Sequence, residues 1–186
     1  RLRRVIMDYK FYSAVVMLAT LSFSAAAAVT ADASLGKLIN ERLSWMKDVA
    51  GAKAQQHQAI EDLAQEQKVL ARAVIDAEAL GLDGESVKPF IQAQMDAAKA
   101  IQYRYRADWL ATPETNWQPR PLDEVRKQIS ELSDRILRKV AERLKANGKL
   151  TDADREEFMR TVQQHNLTGQ DKAHMWQALE SISLKG

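Results

Sequence analysis

From Leu35 onward, apolar residues recur every three or four positions. Leu35, Leu38, Ile39, Met46, Val49 and Ala50 form one stripe, which predicts a first helix from about Leu35 to Gln56. A turn near His57–Ala59 separates it from a second helix, about Ile60 to Leu80, with Leu63, Leu70, Val74 and Ala77 facing inward. Gly81-Leu82-Asp83-Gly84 stops that helix. A third helix begins near Glu85 or Ser86 with Pro89 in its first turn, and Phe90, Ile91, Met95, Ala98, Ile101 and Tyr105 carry its period to about Leu110. Pro113, Pro119 and Pro121 mark the one clear internal linker. A fourth helix follows from about Leu122 to Ala146, with Val125, Ile129, Leu132, Ile136, Val140 and Leu144 on one side, and Asn147-Gly148 ends it. Thr151 caps a shorter helix to about Gln164, and Thr168-Gly169 leads into a last one ending near Ser181. No stretch alternates as a strand does. The predicted fold is all-α, an antiparallel bundle of about six helices in one domain, residues 34–186.

Residues 1–28 follow another pattern. Arg1, Arg3, Arg4 and Lys10 precede an apolar run from Phe11 to about Phe23, and the small residues Ser24 to Ala28 follow. This order predicts a secretory signal peptide, cleaved after Ala28 or as late as Ala33, and hence a periplasmic or secreted chain. The apolar run is short for a membrane span, which takes about 20 residues. An uncleaved anchor is the alternative. The formal net charge of +2 comes from this segment, which holds four basic side chains and one acidic one. The rest of the chain is near neutral, which argues against a nucleic-acid partner.

The chain has no cysteine, so disulfides, thiol catalysis and thiolate metal sites are excluded. His57, His165 and His174 lack paired ligand spacing, and no phosphate loop or nucleophile elbow is present. The informative residues are polar ones on apolar faces. Arg42 fills the gap in the first stripe between Ile39 and Met46, and Lys53 lies eleven residues on. That spacing is a rotation of only about 20°, roughly 16 Å along the axis. When they are taken alone, snorkelling, with the charged heads in water, is the better explanation of both. Asp62, Gln65 and Glu66 share a face of the second helix, or form an ordinary solvated first turn. Gln94 and Gln102 flank Ala98 on the third helix, and Arg126 lies one turn before Ile129 on the fourth; surface positions are the plain alternative for each.

Taken together these positions resemble the secreted, all-helical chorismate mutases, the gamma subclass of the type II fold. Three stretches carry the resemblance: Asn40-Glu41-Arg42-Leu43 through Ala52-Lys53; Ile60-Glu61-Asp62 with Glu66; and Ala98 through Tyr103 with Asp108-Trp109. Arg126 matches a further arginine of the secreted subclass. The resemblance implies an isomerase of aromatic amino acid biosynthesis that rearranges chorismate to prephenate, needs no cofactor or metal, and forms a homodimer. It implies that Arg42 and Arg126 bind carboxylates, that Lys53 and Gln102 donate to the ether oxygen, and that Asp62 and Glu66 hold the hydroxyl region. Gln65 departs from the pattern, standing where many members carry an arginine, and Ala98 replaces a small hydroxyl residue. Arg72 lies on nearly the same face as Gln65 but about 10 Å further along the helix. The loss at Gln65 favours a rival reading, a non-catalytic periplasmic binding or chaperone-like module on the same scaffold.

Overall fold

A computed structural model describes residues 33–186; the predicted signal peptide lies outside the described residues. Seven helices follow in order: α1 (Leu35–Ser44), α2 (Met46–Gln55), α3 (Leu63–Ala79), α4 (Gly84–Ala111), α5 (Leu122–Asn147), α6 (Asp152–Thr161) and α7 (Gly169–Glu180). No strand occurs among the described residues, only a single antiparallel bridge between Leu82 and Leu184. Among them, no helix is long and apolar enough to cross a membrane.

The predicted first helix is interrupted at Trp45, giving α1 and α2. The Ser44 hydroxyl donates to the Glu41 carbonyl at 2.5 Å. That carbonyl would otherwise receive the Trp45 N–H, which tightens instead onto Arg42 O at 3.4 Å. A serine hydroxyl competing with the backbone in this way loosens one turn without redirecting the chain. The ladder resumes when Val49 N–H reaches Trp45 O.

The second predicted helix starts later than its period suggests. Asp62 lies outside helical geometry, with φ −139° and ψ 88°, and its carboxylate accepts from Gln65 N–H as the N-cap of α3. Leu63, expected inside, is 65% exposed because it sits in the first turn beyond the packed part of the helix. Only Ala73 and Ala77 of α3 are buried. The third helix starts earlier, at Gly84, which puts Pro89 in its second turn. The fifth predicted helix ends at Thr161, where Val162 turns extended. Gly148 closes α5 with φ 74°, a left-handed geometry that suits glycine.

Helix α4 is the hub and packs against α2, α3 and α7, while α1 packs on α5 and α6. The core is continuous from Leu38, Ile39 and Leu43 through Phe90 and Ile101 to Val125, Ile136 and Phe158, all essentially buried. Thr151 with Asp154, and Thr168 with Asp171, form capping boxes that start α6 and α7.

The Pro-rich linker lies across α2. Arg120 N–H donates to Asp48, which is 5% exposed. The Arg120 guanidinium stacks 4.2 Å from the Trp45 ring. Trp117 lies so close to Gly51 that a β-carbon there would come within 2.7 Å of its ring. The linker thus braces the helix that carries Lys53.

Candidate active site

A cavity of about 480 Å³ opens between α1, α3, α4 and α5. Its size is typical of a small-molecule site. Ile91, Ala73, Val69 and Leu137 form apolar walls, and Arg42, Gln65, Arg72, Gln94 and Arg126 supply the polar lining.

Arg42 is placed by the α1 stripe, which is buried on both sides by Ile39 and Leu43. Only 8% of it is exposed. Its Nε donates to Ser133 Oγ at 3.1 Å, and Ser133 in turn donates to Ile129 O. Its Nη1 is buried and has no hydrogen-bond partner among the described residues. Burial lowers its pKa to about 10, because the charged form has lost water. A buried guanidinium without a carboxylate partner is costly to keep, and an anion in the cavity would relieve that cost.

Lys53 is half-buried near the end of α2, and its Nζ donates to Ile60 O at 2.8 Å. Burial, then the positive charge of Arg126, lowers its pKa, while Asp62 and Glu66 pull it upward. Lys53 is therefore within the electrostatic reach of three other residues singled out from the sequence. The ion-pair network beside it is centred on Lys99, which meets Glu66 at 2.7 Å and Glu61 at 3.3 Å. Burial alone would depress Lys99; the bonds to Glu66 and Glu61 outweigh it and raise its pKa. The second oxygen of Glu66 is buried and unpaired among the described residues.

Gln102 is 5% exposed, and its amide N–H approaches the Met46 sulfur at 3.5 Å, leaving its oxygen unpaired among the described residues. Arg42, Gln65 and Arg126 thus line the cavity itself, whereas Lys53, Asp62, Glu66 and Gln102 do not line it. Asp62 does not share a helical face with Gln65 and Glu66, as its spacing suggested; it caps the helix from outside, with one oxygen committed to the backbone. Gln65 and Arg126 are exposed at the cavity mouth.

Two lining residues go beyond the set singled out for roles. Ser133 orients Arg42. Gln94, 3% exposed, has a buried oxygen unpaired among the described residues. Its signal was present: it interrupts the Ile91–Met95 apolar stripe as Arg42 interrupts the first. Ser133 gave none, since a serine on a half-polar helix face is ordinary.

A bundle in which a buried cation, Arg42, and a buried amide, Gln94, face a cavity ringed by further cations can hold and polarise an anion without forming a covalent bond to it. The chain belongs to the chorismate mutase type II family, whose model matches residues 26–103. It is 55% identical over 148 residues to the secreted chorismate mutase of Yersinia pestis, covering 80% of each chain. It is 38% identical over 172 residues to the monofunctional chorismate mutase of Enterobacter agglomerans, covering 92% of this chain and 94% of that one. The crystal structure of the Yersinia secreted enzyme superposes with a TM-score of 0.76 at 52% identity, over 81% of this chain and 97% of that one.

Proposed function

We propose that the chain is an exported chorismate mutase in which Arg42, Arg126, Lys53 and Gln102 hold chorismate and stabilise its rearrangement to prephenate. The reaction is intramolecular: one carbon–oxygen bond breaks as one carbon–carbon bond forms, and no proton need be transferred. What the protein must supply is a compact substrate conformer and positive charge where the ether oxygen becomes negative. The unpaired, buried Nη1 of Arg42 is the observation that carries this reading. A dianionic substrate offers it a carboxylate, and Arg126 at the cavity mouth offers a second contact.

Lys53 and Gln102 then act on the ether oxygen. Lys53 keeps one ammonium hydrogen on Ile60 O, which aims the other two. Gln102 donates from an amide that needs no proton to do so. Asp62 and Glu66 hold the substrate hydroxyl; the free oxygen of Glu66 supports this for Glu66 more directly than for the committed Asp62. The basic, apolar and small-residue order of residues 1–28 and the secreted Yersinia relative support export, and a homodimer completes the reading.

Gln65 favours a second reading, a binding module that keeps the scaffold without catalysis. Following chorismate consumption by the purified mature chain, beside its Lys53→Ala and Gln65→Arg variants, separates the two. Turnover largely lost in Lys53→Ala supports the mutase. A wild type no faster than the uncatalysed reaction sinks it.

A further inference from the structure

Gln65 removes a cation from one end of the cavity, yet the cavity does not end there. Along α3 its wall continues through Val69 and Arg72 to Asp76, and along α5 from Arg126 to Leu137. Counted from Gln65 and from Arg126, each wall runs eleven residue steps, about 16 Å. Two buried groups of its lining have no hydrogen-bond partner among the described residues: the Nη1 of Arg42 and the oxygen of Gln94. Both line the same cavity. They do not satisfy one another, so a ligand group between them could engage both.

We propose that Arg42, Gln94 and Arg72 form a carboxylate clamp, and that Arg72 supplies the cation that position 65 lacks. This deepens the mutase reading and rests on it. Arg72 lies seven residues after Gln65, a rotation of about 20° on the same face of α3. Among the described residues only its Nε is engaged, by Asp76 at 2.9 Å. A guanidinium has five donors, so the remaining ones are open to a ligand. The Asp76 pair is an i,i+4 contact with the arginine side chain 77% exposed, a weak tie that a ligand carboxylate can displace. Gln94 completes the clamp from α4. An amide keeps its shape when its ends are exchanged, so it can turn its NH2 toward the same carboxylate.

Steady-state kinetics on chorismate test the clamp in Arg72→Ala, Gln94→Leu, and Arg72→Ala combined with Gln65→Arg. Arg72→Ala is expected to raise KM about tenfold with kcat little changed, the mark of a lost binding contact. Gln65→Arg in that background is expected to restore KM. Gln94→Leu is expected to raise KM while leaving the melting temperature equal or higher, because it removes an unpaired buried group rather than a structural bond. KM within about twofold of wild type in either Arg72→Ala or Gln94→Leu overturns the clamp. The same chains are titrated with an oxabicyclic dicarboxylic acid that mimics the transition state. If wild type binds this dianion in an Arg72-dependent way but does not turn over chorismate, the clamp stands and the mutase reading falls. If it binds with no dependence on Arg72, the clamp falls alone.

Discussion

Arg42 and Ser133 tie α1 to α5 by a hydrogen bond, 3.1 Å long, from a guanidinium whose buried Nη1 has no partner among the described residues. The bond fixes the direction of Nη1 and Nη2 without neutralising the charge. Arg42→Leu is therefore expected to abolish turnover while leaving the melting temperature unchanged or raised, since replacing a buried charge by an apolar side chain is often neutral or stabilising. Ser133→Ala keeps the charge and loses the aim, and should cost about tenfold in kcat/KM. Thermal melts beside kinetics check both; a large fall in melting temperature for Arg42→Leu would contradict the first.

Lys53 acts as a cation, and burial beside Arg126 lowers its pKa below the ordinary 10.5. Activity should be full where the amine is protonated and decline as pH rises through this lowered value, earlier than for a solvent-exposed lysine. Lys53→Arg should move the alkaline decline upward, because a guanidinium stays charged. A pH–rate profile with the same alkaline limb in both proteins would assign the limb to another group.

Gln102 donates from a neutral amide, so no acid limb is expected from it. Gln102→Glu would place a carboxyl in a site that is 5% exposed, where burial favours the protonated form. That form alone can donate. The variant should retain activity at low pH and lose it as pH rises through the carboxyl's pKa, and profiles from pH about 4 to 8 would reveal the difference.

Gly51→Ala tests the brace across α2. The added β-carbon would meet the Trp117 ring at 2.7 Å, so the linker must shift. Overpacking of this kind costs about 1–3 kcal/mol. Because Lys53 lies two residues on, kcat should fall as well, with a change in tryptophan fluorescence that reports the displaced ring.

The capping boxes give the bundle an acid sensitivity of their own. Burial alone would raise Asp154 and Asp171. The bonds Asp154 accepts from Thr151 and Arg143, and those Asp171 accepts from Arg104 and Thr168, outweigh burial, and both carboxyls lie below the ordinary 3.8. Their stabilisation is present above that unfolded value and is lost as pH falls through the lower, folded one. Asp154→Asn and Asp171→Asn should melt earlier than wild type at neutral pH, and the gap should close on strong acidification.

The helical periods were readable because the stripes that bury α1, α2, α4 and α5 are long and regular. The break at Trp45 was hidden because it depends on which carbonyl the Ser44 hydroxyl chooses, a choice no period encodes. Leu63 misled for the opposite reason: its residue type predicts burial, but the first turn of α3 projects beyond the packing. Among the candidate site residues, Arg42 and Gln102 were legible as polar residues on apolar faces, and both are buried. Gln94 carried the same signal but no matching family motif. The commitment of Asp62 to the α3 backbone needed the three-dimensional turn, since the same spacing also describes three neighbours on one helical face.

Residues 181–185 fold back onto the turn between α3 and α4. Ser183 O accepts from Asp83 N–H, Lys185 N–H reaches Gly81 O, and Lys185 meets Glu78. These pairings join positions about a hundred apart, across the hinge of the two helices that form half of the cavity. Such a clasp cannot close until residues 183–185 have been made and released. For a chain threaded outward N-terminus first, these pairings are the last to form, once the C-terminus has followed to the far side.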